Sequence, residues 1–495
     1  MTRSLTLVLF LASTLAVTAP RAGDDDAFQK LRAEGTERAH VAELFEYLTN
    51  DIGPRLTASP AHKRAAEYLR DRLTVYGLAN ARLEPWQFGR GWTLEKLTIE
   101  MVEPRYLPLI GYADAWSPST PGEIVATPVL AAGETAATAE DIARLGGTLK
   151  GAIVLTQPIM TKFVRSDRPN PTDPGYRPNS AAYATSVGQR PARPGEETPQ
   201  QRAQNLMRAL HEAGASVALK PSIGEHGTVF VTGRDYGASA VPSITLSAEH
   251  YNMIVRLLGR GVPVKLRVNV QTKFYDEDGG RAYNVLAELP GTDPALRDEI
   301  VMIGAHLDSW HTGVGATDNA DGATTVVEAM RMLKASGLAP RRTIRVALWG
   351  GEEQGLLGSK AWVAAHLAGE ANRAAREKFD VYYNIDNGTG PIYGFYLQER
   401  AAVQSWFDRW LEPLKAVGAR RNTIESVGST DHLSFIDAGV PGFNPVQDYV
   451  NYDVRTHHTN MDTAERLQEN DIQQAALVMA WFAYQSAIAE AKLPR

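Results

Sequence analysis

Glu299-Ile300-Val301-Met302-Ile303-Gly304-Ala305-His306-Leu307-Asp308 is an apolar run that stops abruptly on an imidazole and a carboxylate. Residues 299–305 read as an apolar strand bounded by polar groups. Downstream, 321–333 places Val326, Val327, Met330 and Leu333 on one helical face, and 343–348 and 379–385 read as two more strands. Residues 471–487 space Ile472, Ala475, Ala476, Met479 and Phe482 for burial in a final helix. Alternation of this kind predicts an α/β fold: a mostly parallel central sheet with helices on both faces.

Upstream of that block, 27–50 reads as a helix with Val41, Leu44, Phe45 and Leu48 among its apolar positions. After a turn at 51–55, Ser59 suits an N-cap, Pro60 the first helical position and Gly77 the C-terminal cap. Between them Ala65, Tyr68, Leu69, Leu73 and Tyr76 share one face. The texture changes over 118–275. Strand-like runs fall at 123–126, 152–155 and 228–231, helical runs at 201–213 and 248–258, and 165–199 is rich in proline with no period. So many prolines cannot sit in a ladder or a helix interior, so 165–199 is expected as a long loop or lid. The whole block reads as an inserted β-rich domain between a body formed by 23–117 and 276–495.

Residues 1–22 have the marks of a bacterial export signal: Arg3, then an apolar run from Leu5 to Ala19, then acidic residues after Ala22. That run is shorter than the ~20 residues a membrane span needs, so a secreted or periplasmic protein without a lasting membrane anchor is expected. The chain has 495 residues, 22% of them charged, with a net charge of −6 and no cysteine. The interspersed charge excludes a basic stripe for nucleic acid, and the absence of cysteine excludes disulfides and thiolate metal sites.

In open α/β sheets ligands gather beyond the carboxyl ends of the strands. His306 follows the first strand, Glu352 and Glu353 follow the second after Gly350-Gly351, and Asp386 ends the third. Asp318 leads into the 321–333 helix, and His458 precedes the last helix. Each alone has an ordinary structural explanation. Together, imidazoles and carboxylates without sulfur suit a hydrolytic divalent ion such as zinc. Glu352, beside Glu353 on a glycine-flanked turn, has the chemistry of a general base.

The strings around these residues, Thr317-Asp318-Asn319, Gly351-Glu352-Glu353, Ile385-Asp386-Asn387 and His458-Thr459-Asn460-Met461-Asp462, resemble the co-catalytic zinc exopeptidases of metallopeptidase clan MH. The resemblance extends to residues 48–60 (LTNDIGPRLTASP) and is nearest the plasma glutamate carboxypeptidase branch. Residues 147–155 and 241–244 are similar to the protease-associated domain that many members carry as an insert. The resemblance implies a zinc exopeptidase fold and two Zn2+ per chain. Asp318 would bridge them, His306 and Asp386 would complete one site, and Glu353 and His458 the other. Asp308 would join Glu352 among the catalytic groups by orienting a ligand imidazole. His458 is preferred over His457 because it alone begins the family's His-Thr-x-x-Asp string, and the Asp318-Asn319 peptide is expected cis. His432 is weighed as a pocket residue. Peptides are the expected substrates, and a homodimer is admitted by analogy. The implied activity is removal of residues at peptide ends, as an aminopeptidase or dipeptidase. The alternatives are a glutamate-releasing carboxypeptidase or a non-catalytic binding module like the transferrin receptor ectodomain.

Overall fold

The computed structural model describes residues 22–177 and 197–495. The expected export signal therefore lies outside the described residues, as does most of the proline-rich stretch. No described helix is long and apolar enough to cross a membrane.

A seven-stranded sheet forms the main body. From edge to edge it runs Ala79–Gln87, Arg281–Leu289, Thr343–Trp349, Ile300–His306, Phe379–Asn384, Gly442–Gln447 and Ile392–Tyr396. The four strands that begin at Thr343, Ile300, Phe379 and Gly442 are parallel, whereas the outer three pair antiparallel. Parallel pairing is thus confined to the middle, where helices cover both faces and every strand must be apolar throughout. The Phe379–Asn384 strand is buried at all six positions.

Helix Asp321–Ala335 is buried over its first thirteen residues, so it is apolar or hydrogen-bonded all round. It lies on the sheet beside the closing helix Glu469–Ile488, which packs against both. On the opposite face Trp349, Trp362, Phe379, Tyr382 and Phe435 pack as a second apolar layer. Burying each such side chain contributes roughly 1.5–3 kcal/mol, which sets the sheet as the rigid reference for everything at its edge.

Helix Pro60–Val75 follows its sequence signals: Ser59 accepts the His62 amide, and Gly77 takes φ +80° at the exit. The expected single helix over 27–50 is instead two, Ala22–Glu37 and Val41–Glu46, the second running on into a wide turn. The break falls where the carboxylate of Glu328, on the central helix, accepts the His40 amide at 3.2 Å. That tertiary bond caps the second helix from outside, a partner the local sequence does not reveal.

A second body carries two further sheets. One joins Leu107–Pro108, Gly91–Glu103, Lys265–Tyr275 and Ile124–Ala126; the other joins Gly111–Ala113, Ser243–Leu246, Val217–Pro221, Ile153–Leu155 and Pro128–Leu130. Residues 91–113 thus build on the same sheets as 124–275. Helices Pro199–Glu212 and Ala248–Gly259 appear close to where their periodicity placed them. The expected strand at 228–231 does not enter either sheet: Phe230 forms an isolated antiparallel bridge with Thr459 of the main body.

Arg55 holds the main body's loops together. Its side chain is fully buried and donates to five main-chain carbonyls: Leu307, Leu48, Gly53, Val314 and Gly315. Burial pulls its pKa down to about 10, against the pull of Asp462 and Asp308, so it stays charged at neutral pH. Replacing Arg55 with Met strips five buried carbonyls of a donor at once. Chemical denaturation of Arg55→Met is expected to show a loss of about 3 kcal/mol or more.

Candidate metal centre

The four parallel strands end on one edge, and the loops leaving them bring the acids and imidazoles together. His306 is the last residue of its strand, and Asp386 lies two residues past Phe379–Asn384. Glu352 and Glu353 follow Thr343–Trp349 across Gly351, whose φ of +71° lies in the left-handed region that favours glycine. The Asp318-Asn319 peptide just before the central helix is cis.

Asp318 occupies the centre. Its Oδ1 lies 3.1 Å from His306 Nε2, which is also 3.5 Å from Asp386 Oδ1. Its Oδ2 lies 3.3 Å from His458 Nε2, which is 2.8 Å from Glu353 Oε2. One carboxylate therefore faces two imidazole–carboxylate pairs, one with each oxygen. The ligand atoms of His306, Asp318 and Asp386 form one compact group, and those of Asp318, His457 and His458 a second. His457 stands farther off, 4.0 Å from Asp318 Oδ2, and stacks on Tyr452.

The supporting bonds explain why the loops hold this shape. His306 Nδ1 is 2.9 Å from the carbonyl of Asp308. A carbonyl only accepts, so Nδ1 carries the proton, and in the neutral ring Nε2 turns its lone pair toward Asp318 and Asp386. The sequence expectation gave this orienting role to the Asp308 carboxylate, but the main chain performs it; the carboxylate is 3.6 Å from the ring. That carboxylate instead accepts from Thr57 Oγ1 and from the amides of Glu352 and Glu353, pinning the acidic turn. Asp462 does the same for the central acid, accepting from the amide and hydroxyl of Thr317 and from the amide of Asp318.

Like charges crowd here, and the protonation equilibria record it. Burial, with the repulsion of Asp318 behind it, pushes Glu353 up to about 7. Asp462 is pushed to about 7 by burial and by the same Asp318. Burial raises Glu352 well above the carboxylate range. The imidazoles rise too, for the opposite reason: burial would lower both, yet Asp386 and Glu352 hold His306 well above its usual range, and Glu353 lifts His458 to about 9. Three buried atoms of the cluster, His306 Nε2, Asp318 Oδ2 and Glu353 Oε1, have no hydrogen-bond partner. Buried polar atoms are rarely left unsatisfied. Nitrogen and carboxylate donors of this kind, without sulfur, fit zinc or a similar divalent ion.

A cavity of about 650 Å³ opens onto the cluster, with Glu352, Glu353, Asp318, Asp386 and His458 in its wall. Arg168 and Lys360 also line it, and the sequence reading identified neither. Arg168 comes from the proline-rich stretch and is clamped by Asp453 at 2.6 Å, a pairing 285 residues apart that no local pattern signals. His432 is not a pocket residue: it is buried and bonded to Gln398 and the carbonyl of Val427. His311 is likewise structural, its Nε2 2.7 Å from the carbonyl of Ala113.

A sheet edge that gathers acids and imidazoles beneath a peptide-sized cavity defines a metallo-exopeptidase. Residues 284–483 match Peptidase family M28, a family of the zinc exopeptidase clan MH. It is 26% identical to carboxypeptidase Q of Bos taurus over 467 residues, 94% of this chain and 89% of that one. It is also 33% identical to leupeptin-inactivating enzyme 1 of Streptomyces exfoliatus over 168 residues, 34% and 36% of the two chains. Among solved structures, a peptidase M28 precursor from Shewanella amazonensis aligns with a TM-score of 0.70 and 26% identity, covering 95% of this chain and 98% of that one. A zinc aminopeptidase from Bacillus subtilis shares the fold, with a TM-score of 0.59 and 18% identity over 92% of this chain and 96% of that one.

Asp308→Ala leaves the amides of Glu352 and Glu353 in the acidic turn without their acceptor. Metal affinity, measured by titration calorimetry, is expected to fall about 10- to 100-fold, as for other partners that orient ligands.

Proposed function

We propose that the chain is an exported dizinc exopeptidase that hydrolyses short peptides at a chain end, as an aminopeptidase or dipeptidase. The observation that carries this reading is the placement of Asp318, with each carboxylate oxygen facing a separate imidazole–carboxylate pair. His306, Asp318 and Asp386 would hold one ion, and Asp318, Glu353 and His458 the other. When bound, such a pair supplies Lewis-acid chemistry, lowering the pKa of water and stabilising charge on a carbonyl oxygen.

The protein's own part is proton movement and positioning. Glu352 lines the cavity but is not drawn into either imidazole pair. It is the group free to accept a proton from the attacking water and to return it to the leaving amine. Its neighbour Glu353 faces His458, so adjacent residues on one tight turn take two roles. The Asp308 carboxylate holds that turn and thereby sets the angle between them. Cleavage of the leader at 1–22 would deliver the enzyme to the periplasm or the medium.

Glu352→Gln is expected to retain both ions by elemental analysis while turnover falls about 10²- to 10⁴-fold. His306→Ala and His458→Ala are expected to lose metal as well as turnover. A Glu352→Gln enzyme of undiminished turnover would remove the base assignment.

A second reading, cleavage directed by the substrate's free C-terminal carboxylate, is favoured by Lys360. Its Nζ bonds only the Gly355 carbonyl at 2.9 Å and makes no ion pair among the described residues, yet it lines the acidic cavity. An ammonium there suits a carboxylate one residue beyond the scissile bond. On this reading Lys360→Gln raises KM for dipeptides with a free carboxylate and leaves KM for the matching dipeptide amides unchanged. Equal shifts for both substrates would return the choice to recognition of the free amine.

A further inference from the structure

The loop that carries His458 is the least regular contributor to the metal centre, and it is tied down from outside the main body. Val231 of the second body donates its amide to the His458 carbonyl at 2.9 Å, and Phe230 bridges to Thr459. Asn460 makes three bonds to the same edge. Its amide donates to the Val229 carbonyl at 3.2 Å, its Oδ1 accepts the Val229 amide at 2.7 Å, and its Nδ2 donates to the Gly227 carbonyl at 3.3 Å. Arg455 adds bonds to the Glu225 carbonyl at 3.1 Å and to Thr228 Oγ1 at 2.8 Å. His458 itself sits at φ +60°, a left-handed conformation that a non-glycine residue keeps only where its surroundings enforce it.

The other half of the centre depends on that edge at one point only. His306 is fixed by its strand and the Asp308 carbonyl, and Asp386 follows its own strand, both within the main body, whereas the shared Asp318 is held by Asp462 of the His458 loop. The two halves therefore differ in what holds them.

We infer that residues 227–231 position His458, with Asn460 as the positioning residue that joins them, so that the second body completes one of the two ion sites. This deepens the dizinc reading above and rests on it. The second body then does more than shape access to the cavity: loosening it empties the His458 site while the His306 site persists.

The test is calorimetric zinc titration of the full-length protein after chelation, with bound ions counted by elemental analysis. Asn460→Ala is expected to weaken one of the two binding events by about tenfold or more and the other by distinctly less, since His306 and Asp386 keep their own supports. Asn460→Asp, which keeps the acceptor for the Val229 amide, is expected to recover most of that loss. Arg90→Ala cuts the pair with Asp235, 2.7 Å apart, without touching the His458 loop, and is expected to bind both ions as the unaltered protein does. If Asn460→Ala does not fold, Arg455→Gln severs the neighbouring tie and carries the same expectation. Unchanged affinity for both ions in the loop variants, or an equal loss in Arg90→Ala, overturns the positioning role. Fewer than two ions in the unaltered protein overturns the dizinc reading and this inference with it.

Discussion

Everything at the sheet edge depends on one crowding of charge. Asp318 lies between two imidazoles, and Glu352, Glu353, Asp386 and Asp462 surround it in a site closed to most of the solvent. Burying one carboxylate without compensation is costly, and burying several side by side is more so. The shifts follow that logic: Glu352, Glu353 and Asp462 rise, His306 holds Asp386 down, and His306 and His458 become more basic, while His306 Nε2, Asp318 Oδ2 and Glu353 Oε1 stay without a hydrogen-bond partner. Divalent cations reverse the balance, because each becomes the largest local charge and turns mutual repulsion into shared attraction. The residues are thus poor choices for a core and good choices for a cation site.

Such a cluster can be built only if its backbone cannot relax away from it. The structure uses a different tie for each loop. Arg55 gathers the carbonyls at both ends of the 307–315 loop, and Asp462 and Asp308 hold the two acidic stretches through main-chain amides. These ties are themselves charged and buried, yet each ends on groups that need a partner: carbonyls face the guanidinium and amides face the carboxylates. The rigid parallel strands supply the origin of each loop, and the buried charges determine where each loop stops.

Most of the fold was legible because its signals are local. Continuous apolar runs gave the central strands, helical periodicity gave 321–333 and 471–487 of the helices Asp321–Ala335 and Glu469–Ile488, and Ser59, Pro60 and Gly77 delimited theirs. The gathering of His306, Glu352, Glu353 and Asp386 at one edge followed from strand direction, with Asp318 in the loop before the central helix, and the structure brings these side chains together. What could not be read depended on partners distant in sequence. The break near His40 arises from Glu328, Arg168 reaches the cavity by way of Asp453, and the run at 228–231 looks like a strand while its only bridge is to Thr459. Asp308 shows a subtler limit. Its spacing from His306 was informative, but spacing could not say whether its carbonyl or its carboxylate would reach the ring.

The 228–231 run also shows why its periodicity was not wrong in kind. Val229 and Val231 are buried, as strand residues should be, but the edge they pair with is a loop rather than a sheet. A loop that bends sharply enough to present His458 at positive φ cannot satisfy its own amides and carbonyls by regular structure. Those groups need an external edge, since an unpaired buried amide or carbonyl costs about as much as a lost hydrogen bond. A second body placed against the mouth of the site meets that need. Architecture and chemistry are then coupled by backbone bonds: the segment that looks least catalytic in the sequence is the one on which the most exposed ligand candidate rests.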